Sequence, residues 1–220
     1  MTWNLRSLRD DRSAVIETLN RCTPDVLFVQ EAPRYFRAAS KLAALARESN
    51  LLVACEGRSA PGMAILTSMR VDVDYERAAG LPHSPGLHRR GVAIASLRLG
   101  DRVWIAASVH LGLDSGERVR HGTEIRDLLE SARELDRVVG GDLNETSTGD
   151  AWQMLAQGSS DVGALNDQPT FPARQPEKRI DAIFLPKTWR AKVISPSELV
   201  DDALLVRATD HRPVIVDVMD

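Results

Sequence analysis

GVAIASLRLGDRVWIAASVH, residues 91–110, reads as two apolar strands folded back on each other through Leu99-Gly100-Asp101-Arg102. A Gly-Asp pair between two runs of apolar residues is a hairpin signal. Further strand-like runs lie upstream at 1–5, 25–31 (DVLFVQE), 51–55, 63–67 and 71–75, and downstream at 137–141, 180–185, 189–194 and 214–218. Helical spacing covers 11–21, with Ala14, Val15, Thr18 and Leu19 on one face and an aspartate before it as cap. It recurs at 34–48, with Leu42, Leu45 and Ala46 inward, and at 117–135. Loops rich in Pro and Gly cover 78–90 and 166–178. Many strands, few helices and hairpin signals imply an α/β (α+β) chain of two mostly antiparallel sheets packed together, helices outside. Steady βα alternation fails in the second half, which argues against a doubly wound parallel sheet.

The 220 residues, 43% hydrophobic and 27% charged, suit a single domain spanning 1–220. No apolar run is long enough to span a bilayer, and the N-terminus lacks the regions of a signal peptide. Cys22 and Cys55 make no metal-like or redox spacing, so a cytoplasmic protein with reduced thiols is expected. A net charge of −3 argues against gripping nucleic acid through bulk positive charge, though not against a basic cleft. No obligate protein partner is evident from the sequence.

The informative feature is where acids, amides and histidines fall. Asn4, Glu31, His110, Asp142 and Asn144 sit at or just past the C-terminal ends of strands. Asp181 and the pair Asp210-His211 sit near the beginnings of strands. In an antiparallel sheet the end of one strand lies beside the start of its neighbour, so both groups can meet at one edge. In RIDAIFL, Asp181 shares a side with Ile183 and Leu185, and a carboxylate on a core face requires a partner, a histidine or a cation. Taken singly, most such residues are turn formers or helix caps. Isolated histidines such as His83, His88 and His121 read as surface or packing residues.

The ordered set TWN (2–4), VQE (29–31), VHL (109–111), GDLN (141–144), RIDAIF (179–184) and TDHRPVIVDV (209–218) resembles the endonuclease/exonuclease/phosphatase superfamily, also called DNase I-like. The resemblance implies a four-layered sandwich with the site at one edge of the two sheets. It also implies roles. Glu31, assisted by Asn4, resembles the principal ligand of Mg²⁺ (or Mn²⁺), and Asp210 a further metal-site acid. Asp142 resembles the residue that orients or deprotonates water, with Asn144 holding a phosphate oxygen. His110 matches the histidine near the phosphate and leaving oxygen, and His211 the phosphate-binding histidine, held in its tautomer by Asp181. Arg34, Arg89, Arg90 and Arg179 are candidates for substrate phosphate contacts. Arg6 stands where some abasic-site endonucleases of the superfamily carry a second acid.

The expected activity is metal-dependent hydrolysis of a phosphodiester, with DNA or RNA as the leading substrate class. The alternatives are a phosphatase or phosphodiesterase acting on a small phosphorylated molecule or lipid head group, and a non-catalytic module of the same fold. Few aromatic residues are available to stack bases; of these, Trp152 and Phe171 sit in or near loops that could line the cleft, with core packing as the other reading for both.

Overall fold

Side-chain alternation along the strands sets the layers. The computed structural model describes residues 1–130 and 135–219. One sheet runs β1 (Thr2–Asn4), β2 (Val26–Gln30), β4 (Ala64–Thr67), β3 (Leu52–Glu56). Its first pair is parallel and the others antiparallel. The second sheet runs β5 (Asp72–Gly80), β6 (Gly91–Leu99), β7 (Arg102–His110), β8 (Asp136–Asp142), β10 (Asp181–Pro186), β9 (Ser159–Asp161). Only β7–β8 is parallel in it. β11 (Arg190–Ile194) and β12 (Ile215–Met219) form a separate antiparallel ribbon. The hairpin closes as read, with Leu99 opposite Arg102.

Between the sheets pack Phe28 and Ile65 from one side and Ala93, Leu97, Trp104, Val138 and Ile183 from the other. Leu27 and Val29, which alternate with Phe28, face outward onto α1 (Arg12–Cys22), α2 (Ala38–Glu48) and α5 (Asp202–Ala208) through residues such as Leu19, Leu45 and Leu205. Val92, Ile105 and Phe184 face the opposite way onto α3 (Ser115–Glu130) and α4 (Asp150–Ala156) through Ile125 and Trp152. Helices, sheet, sheet and helices thus make the four layers. At Gly140 the sheets pack so closely that a Cβ would run into the Phe28 ring.

Several boundaries differ from the sequence reading. α1 begins one residue later than expected because Asp11 itself is the cap, accepting from the Ser13 and Ala14 backbone N–H groups. α2 starts at Ala38 rather than at 34, since Phe36 and Arg37 adopt positive φ and interrupt any helix. β5 runs to Gly80, into the stretch 78–90 expected to be loop, because it pairs along the whole of β6. The expected helix 117–135 begins earlier, at Ser115. Its expected residues 131–134 lie outside the described ones, and Leu135 is a bend before β8. α4, α5 and β9 were not expected.

Candidate active site

The alternation that fills the intersheet core also builds the site. Asp142 continues the inward row Val138–Gly140, Asp181 the row with Ile183 and Leu185, His110 the row of Trp104 and Ala106. His110 is in register with Asp142 across the parallel pair β7–β8, and Asp181 with Asp142 across the antiparallel pair β8–β10. Where the apolar filling stops, three polar residues therefore stand side by side. Asn4, between the outward-facing Trp3 and Leu5, points into the same end of the sandwich from β1. Beneath them lies a buried polar layer that sequence reasoning missed. Thr2 Oγ1 donates to Gln30 Oε1 (3.1 Å), Gln30 Nε2 to Ser108 Oγ (3.1 Å), and Ser108 Oγ to the Val29 carbonyl (3.0 Å). Every member has a partner, so the layer fixes how the two sheets meet.

Asp142 is the hub. Its Oδ2 accepts from Asn4 Nδ2 at 3.0 Å and lies 3.3 Å from His110 Nε2 and 3.7 Å from His211 Nε2. Its Oδ1 accepts from the Asn144 backbone N–H at 2.9 Å. Burial, and then the charge of Asp181, push the Asp142 carboxyl up to about 6. A carboxylate poised near neutrality suits a base that takes a proton from water.

His211 follows the loop after α5 and is fastened by Trp3 Nε1, which donates to its carbonyl at 2.8 Å. Its Nδ1 meets Asp181 Oδ2 at 2.9 Å, and the Phe171 ring packs against it, tilted by 45°, at 4.9 Å between centroids. Burial alone would lower this imidazole, but the charge of Asp181 and its hydrogen bond, then Asp142 and Asp210, raise it to about 10. His211 is thus a cation, with Nε2–H aimed toward Asp142. The partner that Asp181 required is this histidine.

His110 is the opposite case. Arg90 Nη1 lies 3.1 Å from its Nδ1, and a guanidinium can only donate. Nδ1 must accept, so the ring is neutral and its proton sits on Nε2, facing Asp142. Burial and then the charges of Arg90 and Arg34 hold its pKa well below the usual histidine range.

The other sequence candidates divide. Glu31 is half-buried at the C-terminal end of β2, one residue past the Asn4–Gln30 register pair, with φ 50°. Asp210 is 34% exposed and its Oδ2 pairs with Arg6 Nε at 3.2 Å. Arg6, Ser7 and Leu8 all have positive φ. Asn144 Nδ2 donates to the Leu111 carbonyl (3.0 Å). Arg90 meets His110 and Arg34 lies against Gly62, whereas Arg89 is exposed on the loop before β6. Arg179 was expected at substrate phosphate, but the structure turns it away. It pairs with Asp161 (3.0 Å) and Asp167 (2.7 Å) and lies over the Trp152 ring. Trp152 itself is core, against Phe184 rather than in the cleft. His121 packs as expected, accepting from the Gly112 N–H and facing the Pro82 carbonyl; His83 and His88 are exposed.

Asp142, Asp181 and His211 place ligand-type atoms within 4.8 Å of one another. Within this group His211 Nδ1 is hydrogen-bonded to Asp181, and its Nε2 faces Asp142 at 3.7 Å. The donor set that fits a hard cation is the carboxylate of Glu31 with the amide oxygen of Asn4, brought to adjacent strand ends by β1 and β2.

Residues 1–211 match the sequence profile of the Endonuclease/Exonuclease/phosphatase family. The chain belongs to that family, and its two helix-flanked sheets have the DNase I-like fold. A functionally unknown conserved protein from Enterococcus faecalis V583 is similar in structure, with TM-score 0.82, 18% identity and coverage of 99% of this chain and 98% of that one. A mannosyl-6-phosphatase from Bacteroides thetaiotaomicron VPI-5482 gives 0.77, 17%, 100% and 98%. The human Nocturnin catalytic domain with bound sulfate gives 0.70, 16%, 94% and 85%. At these identities the likeness is one of fold. No curated protein matches the sequence significantly. Among the described residues no helix is long and apolar enough to cross a membrane.

Proposed function

We propose that the chain is a divalent-metal-dependent hydrolase of phosphate esters, acting as one domain. The observation that carries this reading is the arrangement around Asp142: Asn4 Nδ2 donates to Oδ2, the Nε2 atoms of His110 and His211 lie 3.3 and 3.7 Å from it, and Oδ1 keeps a lone pair beyond its Asn144 contact. Asp142 orients water at Oδ1 and takes its proton. Asn4 and neutral His110 hold the carboxylate in place. His211, kept cationic by Asp181, meets the negative charge that grows on phosphate oxygens in the transition state. Asn144 carries the remaining amide at the same loop. Glu31 and Asn4, with Asp210 at the rim, are the residues that would hold Mg²⁺ or Mn²⁺. The cation would supply charge neutralisation at the phosphate and lower the pKa of the attacking water.

The reading is tested by hydrolysis of an aryl phosphodiester and an aryl phosphomonoester with Mg²⁺, with Mn²⁺ and with EDTA. Metal-dependent turnover that EDTA abolishes is expected. Absence of turnover on both, and on a panel of DNA, RNA and sugar phosphates, would overturn it. Phe171, its ring tilted against His211, is an aromatic ring already at the site.

A further inference from the structure

Two guanidiniums stand at the edge of this site without an acid. Arg90 is 7% exposed, yet its one side-chain bond is to His110, and its Nε is buried with no partner. Arg34 is half-buried, and its Nε too is buried with no partner. Among the described residues no carboxylate lies within ion-pair distance of either. The other arginines of low exposure are matched: Arg118 with Glu145 at 2.6 Å, Arg179 with Asp161 and Asp167. Burying a cation beside another cation costs free energy that folding does not return. Arg34 lies against Gly62, and Gly91, next to Arg90, packs on Ala60, so the two arginines flank the same turn.

The surroundings hold both arginines in place. The loop carrying Arg90 is pinned by Glu117, which is 1% exposed and accepts from the Ser84 N–H at 3.1 Å, and by His121 at the Pro82 carbonyl. Arg34 lies against Gly62, where any Cβ would collide with its guanidinium. A fixed pair of unpartnered guanidiniums is a receptor for an anion with more than one charged oxygen. A phosphodiester carries one negative charge on two oxygens, and its third outer position is an uncharged ester oxygen. A terminal phosphomonoester carries about −1.5 to −2 charges at neutral pH on three free oxygens. A monoester offers two charged oxygens to the arginines and a third to His211, whereas a diester has two charged oxygens for the three cations.

Resting on the hydrolase reading above, we propose that this site takes phosphomonoesters in their dianionic form, held by Arg34 and Arg90, in preference to diesters. Water adds to phosphorus, the bond from phosphorus to the alcohol oxygen breaks, and the products are the alcohol and inorganic phosphate. Arg34 acts in binding and not as a proton carrier, so its loss falls on substrates according to their charge.

The test compares aryl phosphomonoester and diester on the wild type, Arg34→Gln and Arg34→Lys. The wild type should prefer the monoester. Arg34→Gln should lower kcat/KM for the monoester about 10- to 100-fold more than for the diester, the loss expected for a hydrogen bond to a charged group. Arg34→Lys should recover part of it. Titration calorimetry with inorganic phosphate and with dimethyl phosphate supplies a readout without turnover: only inorganic phosphate should bind, and more weakly to Arg34→Gln. A diester preference, or an Arg34→Gln loss equal for both esters, would overturn the proposal and leave the hydrolase reading intact. If neither ester were hydrolysed the hydrolase reading would fall, and the calorimetry would still decide the subsite.

Discussion

Arg90 Nη1 lies 3.1 Å from His110 Nδ1, and this contact fixes the proton on the far side of the ring. Because arginine offers no acceptor, His110 is a neutral Nε2–H donor and holds Asp142 rather than titrating against it. Nitrogen NMR should therefore show one neutral His110 tautomer, protonated at Nε2, across pH 5 to about 8. Arg90→Met, which keeps the stem and removes the donor, should release the ring to a mixture of forms with a higher pKa. A His110 that titrates near the ordinary histidine pKa in the wild type would contradict this assignment.

Asp142 and His211 carry the chemistry in the proposed mechanism. Asp142→Asn keeps the shape and removes the base, and His211→Ala removes the cation. Each should lower kcat by about 10²- to 10⁴-fold, the range of positioned acid–base groups. Circular dichroism should show the fold retained. Near-full activity in either variant would show that the roles are misassigned.

Much of this site was legible in the sequence for a simple reason. Strand periodicity places Asp181 on the face of Ile183 and Leu185, and a buried acid demands a partner, which proved to be His211. The motifs supplied Asp142 and Asn4, now seen 3.0 Å apart. Other features depend on tertiary geometry and leave no trace in spacing. Arg179 looked like a phosphate ligand until the loops folded Asp161 and Asp167 onto it. The link from Arg6 to Asp210 joins residues from opposite ends of the chain, and it leaves a segment where three successive residues have positive φ. The layer of Thr2, Gln30 and Ser108 joins strands of different sheets, and no local pattern reports it. At the level of the fold, α4 and α5 span seven residues each, too few for a helical period to stand out.

His211 also ties stability to pH. Its pKa is raised from 6.5 to about 10 by Asp181, so the folded state holds this proton more tightly than the unfolded chain. The stabilisation is fully present below the unfolded value and is lost as pH rises toward about 10. In EDTA, the wild type should exceed His211→Gln in urea-unfolding free energy by a few kcal/mol near pH 6. The gap should close as pH approaches 10. A gap that widened with pH would reverse the sign and refute the ion pair.

Arg179 separates stability from activity. Its guanidinium is 7% exposed, bonded twice to Asp161, once to Asp167, and set over Trp152 at 4.7 Å. Removing one partner of such a buried pair leaves an uncompensated carboxylate at Asp161, a loss of about 3 kcal/mol. Arg179→Met should therefore lower the unfolding midpoint strongly while leaving kcat/KM of the remaining folded enzyme close to the wild type. A selective loss of kcat/KM with unchanged stability would return Arg179 to the substrate.

The contact between the sheets can be tested at Gly140 and Phe28. Gly140 precedes Asp142 by two residues on the inward row of β8, Phe28 faces it from β2 of the other sheet, and a Cβ on Gly140 would overlap the Phe28 ring. Gly140→Ala must then push Phe28 off its rotamer or part the sheets, at a cost of about 1–3 kcal/mol. Phe28→Leu alone should also destabilise, by leaving space in the core. The double variant should cost less than the sum, because the smaller side chain accommodates the new methyl. Since Asp142 is two residues further along β8, parted sheets should also lower kcat in Gly140→Ala, and the double variant should regain part of it. Strictly additive free energies from urea unfolding would show that Gly140 and Phe28 do not touch.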